Sequence, residues 1–158
     1  MLKNIRTKMQ DDKGFTLIEL MVVVLIIAIL IAIAIPTFLG LRRRAQDRAA
    51  QSDLRNAMTA AKAFYTDDES YTGFTAVEGE DIEPSLNWDT AADQDYVDIV
   101  AVNDQDATFS RESASGDFFC IADSSVDVGV LSAGTYGGQG AAAATDFATC
   151  AGQTQWLG

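Results

Sequence analysis

Gly14-Phe15-Thr16-Leu17-Ile18-Glu19 opens a run that continues apolar to Ile35. From Leu20 to Ile35 every side chain is Leu, Ile, Val, Met or Ala. A helix needs ~20 apolar residues to cross a hydrocarbon core, so Phe15–Ile35 is long enough to span. One carboxylate, Glu19, interrupts the run near its start. A charge inside a bilayer helix costs ~2.5–3.5 kcal/mol on insertion scales, so Glu19 requires a partner.

The residues before Gly14 suggest where that partner comes from. Lys3, Arg6, Lys8 and Lys13 stand there against Asp11 and Asp12. Positive charge ahead of an apolar stretch holds that end in the cytoplasm. A cut after Gly14 would leave Phe15 with a free ammonium. Within one straight helix that amine projects along the axis and does not meet Glu19. A neighbouring copy, shifted along the axis, could present its own Phe15 amine to Glu19. The acid is therefore an argument for self-assembly.

Lys13-Gly14-Phe15-Thr16-Leu17-Ile18-Glu19-Leu20 resembles the prepilin cleavage and methylation site of type IV pilins, and the likeness extends through Pro36 and along Arg42–Tyr65. The resemblance implies cutting after Gly14 by a membrane aspartyl prepilin peptidase, N-methylation of Phe15, and Glu19 as an assembly residue. It implies a subunit held in the inner membrane and then built, with other copies of itself and a membrane assembly machinery, into an extracellular filament. Such filaments serve adhesion, twitching motility or DNA uptake. A pseudopilin of a type II secretion system shares the N-terminal motif and is one alternative. A secreted acidic binding domain is another, since Ala32-Ile33-Ala34 forms an A-x-A signal-peptidase site. Against that second alternative stand the long, partly acidic leader, the Glu within the run and a helical pattern that continues past Pro36.

The expected organisation is a leader (1–14), a hydrophobic helix (15–36), its amphipathic continuation (37–66) and an acidic head (67–158). Pro36 lies inside the helix, where the missing N–H and the ring predict a kink or local melting; a flexible joint for the filament is the functional reading of the same residue. Ala28, Ala32, Ala34 and Gly40 would permit close helix approach. After Pro36, Ala50, Leu54, Ala57, Ala61 and Phe64 recur at spacings of three and four, with Tyr65 beside them, which marks one buried face. Arg44, Arg48, Arg55 and Lys62 form a stripe elsewhere on the helix. It reads either as a solvated face or as a surface turned to neighbouring heads.

The helix should end near Tyr65 to Asp67, followed by a connecting loop from Tyr71 to Thr90 that holds a short helix around Ala76–Glu83. Phe74 and Trp88 should pin that loop. Strands are predicted at Tyr96–Val102, Ala107–Arg111 and Asp117–Ala122, with turns at Asn103–Asp106 and Ser113–Gly116 and a fourth strand at Val126–Leu131. Gly134–Ala144 reads as a loop. The fold class is α+β: a long N-terminal helical spike packed against an antiparallel β-meander head, as in the type IV pilin fold.

The 158 residues carry a net charge of −12, two Cys and no His. Beyond Lys62 the only basic residue is Arg111. Such an acidic head disfavours phosphate contacts and hence direct nucleic-acid binding. No His serves acid–base chemistry and no phosphate loop or nucleophile motif is present, so neither an enzyme nor a cofactor is expected. Asp104-Gln105-Asp106 and Asp67-Asp68-Glu69 lack EF-hand spacing and read as solvated turns, not metal sites. A head outside the cytoplasm can keep a Cys120–Cys150 disulfide, and the pilin resemblance supports a bridge that pins the C-terminal segment; two free buried thiols are the rival.

Overall fold

The computed structural model describes residues 14–89 and 95–157. The leader charges and the Thr90 end of the connecting loop lie outside the described residues. The chain divides into two compact units, one up to Leu41 and one from Arg42. Helix α1, Leu17–Asp68, runs through both.

In the first unit every side chain from Gly14 to Leu41 is exposed. The backbone stays helical across Pro36, so the local melting expected there is not found. The missing Pro36 N–H costs the helix one bond, and the residues on either side keep helical backbone. The Thr37 hydroxyl donates to the Ile33 carbonyl at 3.1 Å.

In the second unit Ala50, Leu54, Ala57, Met58 and Ala61 form the buried face of α1. The helix stops at Glu69, whose N–H still donates to the Tyr65 carbonyl at 2.8 Å and whose φ of 52° leaves helical space. Helix α2, Ala76–Ile82, follows. The Trp88 ring lies so close over Gly79 that a Cβ there would sit 2.6 Å from it. Phe74 meets Trp88 and Phe109 edge to face, with centroids 5.6 and 5.7 Å apart, and this anchors the loop as its aromatics suggested.

Strands β1 (Trp88–Asp89), β2 (Val97–Val102), β3 (Asp106–Glu112), β4 (Phe118–Ser124), β5 (Gly134–Gly140) and β6 (Thr154–Gln155) make one sheet in sequence order. β1 pairs in parallel with β2, and every other pairing is antiparallel. Helix α3, Phe147–Ala151, precedes β6. Phe109, Phe119 and Ile121 point into the core with α1. Cys120 and Ala122, alternating with them on β4, point the other way onto Ala144, Phe147 and Cys150. The two-residue strand period divides the side chains this way. β4 is thus buried on both faces, under α1 on one side and the C-terminal segment on the other.

Two of the strand and loop expectations fail. Val126–Leu131 is not a strand; it holds only an isolated bridge between Val128 and Leu131. The Ser124 hydroxyl donates to the Val126 carbonyl at 2.7 Å, and Asp127 accepts the Ala133 N–H at 2.8 Å, so side chains satisfy this backbone in place of a ladder. Gly134–Ala144, read as a loop, contributes β5. Its glycines serve close approach: a Cβ on Gly138 would lie 2.4 Å from the Cys150 carbonyl oxygen, and one on Gly137 would lie 2.5 Å from Leu157 Cγ.

Candidate assembly interface

The first helical turn is built around a reciprocal pair. Thr16 caps α1: its hydroxyl accepts the Glu19 N–H at 3.2 Å, while Glu19 Oε2 accepts the Thr16 N–H at 2.9 Å and the Thr16 hydroxyl at 2.6 Å. This arrangement is a capping box, which satisfies donors that a helix start otherwise leaves open. Glu19 thus has a partner within its own helix, Thr16, which the T-x-x-E spacing marks in the sequence beside the stranded charge. Both Thr16 bonds fall on Oε2, so among the described residues Oε1 is left without a hydrogen-bond partner. The Thr16 N–H survives a cut after Gly14, because it belongs to the Phe15–Thr16 peptide.

Beyond the cap lies an apolar surface. Phe15, Leu17, Ile18 and the large side chains on to Leu41 are all exposed, and α1 contains a stretch long and apolar enough to cross a membrane. Burying one Leu or Ile side chain is worth ~1.5–3 kcal/mol, so a surface of this extent drives association with lipid or with like helices. Gly40 has open space around its Cβ position, which leaves room for a second backbone. Gly14, Phe15, Glu19 and Pro36 all sit on this unit.

The second unit holds the cysteines. Cys120 and Cys150 are joined by a disulfide that ties β4 to α3 across 30 residues of sequence. Asp146 caps α3, accepting the Thr149 N–H at 2.7 Å, and that bond holds its carboxyl below the ordinary aspartate value.

A polar cluster joins α1 to the sheet. Asp123, 7 % exposed, receives the Tyr71 hydroxyl at 2.7 Å, the Lys62 ammonium at 2.8 Å and the Thr135 hydroxyl. Burial pushes the Asp123 carboxyl up, but bonds from Lys62, Thr135 and Tyr71 outweigh it and hold the group below its ordinary value. Burial, and then the bond to Asp123, push the Tyr71 hydroxyl up. Arg55 lies 4.9 Å from the centroid of the Trp156 ring, a cation–π contact. The cationic stripe is therefore divided. Arg55 and Lys62 engage their own head, whereas Arg44 and Arg48 have no ion-pair partner among the described residues.

The Prokaryotic N-terminal methylation motif model matches residues 9–35. Over 63 residues the chain is 46 % identical to the type IV major pilin protein PilA of Myxococcus xanthus, covering 40 % of this chain and 29 % of that one. Over 64 residues it is 45 % identical to the type IV wide pilus major component PilA4 of Thermus thermophilus, covering 40 % of this chain and 49 % of that one. The chain thus spans less than half the length of these two relatives. With the type IV major fimbrial protein FimA of Dichelobacter nodosus it shares 37 % identity over 119 residues, which cover 66 % of this chain and 74 % of the relative. No solved structure matches the chain significantly. The methylation motif, the capped apolar helix, the α+β head and a likeness to FimA that reaches well beyond the motif together establish that the chain belongs to the type IV pilin family.

Proposed function

We propose that this chain is the major structural subunit of a type IV pilus. It works by polymerising and carries out no chemistry of its own. Residues 1–14 are the leader, a prepilin peptidase cuts between Gly14 and Phe15, and Phe15 is N-methylated. The subunit waits in the inner membrane through Phe15–Pro36 and then leaves for an extracellular filament. There the apolar helices of many copies bury one another, and Pro36 marks the joint in that core. Residues 37–66 seat the head, 67–158, which faces solvent.

The observation that carries this reading is the chemistry of Glu19 at the mouth of an uncovered apolar helix. One carboxylate oxygen is held by the capping box. The other is free to receive the Phe15 ammonium of a neighbour, and a like-depth ion pair removes the cost of a lone charge in an apolar medium. The long, exposed Leu17–Leu41 surface supplies the reason to associate.

Two substitutions separate pairing from capping. Gln is competent at this position of a capping box, so Glu19→Gln retains the cap and discards the charge, whereas Glu19→Ala discards both. Neither variant should yield filaments in material sheared from the cell surface, although both should reach the membrane. N-terminal sequencing of the wild-type filament should begin at N-methylated Phe15. Normal filaments from Glu19→Gln would leave the acid with a capping role alone. A mature chain starting at Ile35 would favour a secreted domain.

A further inference from the structure

We propose that the exposed arginines Arg42, Arg43, Arg44 and Arg48 dock on the acidic end, Asp67-Asp68-Glu69, of α1 in a second copy of this chain. This contact rests on the pilus reading and adds to it a second, electrostatic interface, outside the apolar helix. All four arginines are exposed, and among the described residues none has an ion-pair partner. Arg44 and Arg48 are four apart on one helix face, where like charges repel each other. The acids nearest to them in sequence are already engaged. Asp47 accepts the Ser113 hydroxyl at 2.9 Å and the Ser115 hydroxyl, and Asp53 pairs with Arg111 at 2.7 Å. The stripe's other cations, Arg55 and Lys62, are held by Trp156 and Asp123 of the same head. The patch is thus positive, open and uncompensated in a unit that is otherwise acidic.

The complementary surface lies at the far end of the same helix segment. Asp67, Asp68 and Glu69 are exposed, have no ion-pair partner among the described residues, and stand where the helix dipole is itself negative. Arg44 and Asp68 are about 36 Å apart along α1 at ~1.5 Å per residue. A copy displaced along the axis by about that distance brings its arginines to this copy's acids. The two patches differ, so the contact is head-to-tail and repeats without closing, which is the geometry of a filament.

A charge swap in the full-length chain, produced in cells that display the filaments, tests this. R44E/R48E alone and D67K/D68K/E69K alone should each lower the mass of sheared filament roughly tenfold, the sum expected of a few exposed ion pairs at each contact. The combined variant should restore most of it. Equal amounts of subunit in the membrane fraction separate assembly from misfolding. Wild-type filaments should also shed subunits more readily in about 0.5 M than in about 0.05 M salt, and this readout needs no variant. A combined variant no better than R44E/R48E, or filaments indifferent to salt, would overturn the contact. So would normal assembly of the acid variant together with loss of R44E/R48E from the membrane, which would assign the arginines to anionic lipid headgroups. Complete absence of filaments from the unaltered chain would instead remove the pilus reading and this contact with it.

Discussion

Asp123 sits on β4 with its carboxylate turned inward, and three donors from three places in the chain converge on it: Lys62 from α1, Tyr71 from the loop after it and Thr135 from β5. Breaking such a charge-assisted cluster costs more than losing a neutral hydrogen bond. Asp123→Asn should lower head stability by ~2 kcal/mol at pH 7, less than a fully buried pair would lose because Lys62 remains half exposed. The sign follows from the depressed carboxyl: its contribution is present above the unfolded aspartate value of ~3.9 and is lost as pH falls through the lower folded value. Denaturant titrations of wild type and variant should therefore begin to converge as the pH falls below about 4. At the other limit Tyr71 stays protonated in the fold while an unfolded tyrosine ionises near ~10, so wild-type stability should fall again above that pH. Asp98, whose carboxyl burial pushes up, works against the acid limb but does not differ between the two proteins. Among so many acids nothing in the sequence distinguishes Asp123, because its importance comes from strand pairing and not from its neighbours in the chain. Glu19 was legible for the opposite reason, as the only charge in a long apolar run.

Strands β2, β3 and β4 could be read because each is a short β-rich run set between turns that carry Asn, Asp, Ser and Gly. β5 could not. Gly134-Thr135-Tyr136-Gly137-Gly138-Gln139-Gly140 carries no such pattern, and only the proximity of Cys150, Trp156 and Leu157 explains why side chains are excluded there. The same tight packing makes the disulfide matter. Cys120 on β4 and Cys150 on α3 close a 30-residue segment that includes all of β5. Constraining the unfolded chain over a loop of that length is worth ~3–4 kcal/mol. Replacing both cysteines with Ala should lower the unfolding free energy by that amount and loosen α3 and β6 first. Amide exchange at Trp156, whose N–H donates to the Gly137 carbonyl at 2.9 Å, should speed up before exchange in β3 does. Uniform loosening of the whole sheet would instead mean that the C-terminal segment and the meander unfold as one body.

The two compact units are built for different surroundings. Every member of the main core lies at Ala50 or beyond, and every large apolar residue from Phe15 to Leu41 lies outside it. Among the described residues the head thus has a core of its own, whereas the apolar helix presents its large side chains uncovered. This separation can be tested by production of residues 42–158 alone. Removing the first unit deletes no core side chain and no hydrogen bond of the Asp123 cluster. The loss is confined to fraying of the new helix start before Ala50, worth at most ~1 kcal/mol for a missing cap. The fragment should be water-soluble, retain the Cys120–Cys150 bond, and unfold cooperatively within about 5–8 °C of the head of the full chain in detergent. Sedimentation in about 0.15 M salt should give a monomer, since exposed ion pairs between arginine and acid patches are too weak to hold copies together without the apolar helices. A fragment that precipitates or melts without a transition would place part of the head's stability in residues before Arg42. In that case assembly of the filament and folding of the head would be a single process.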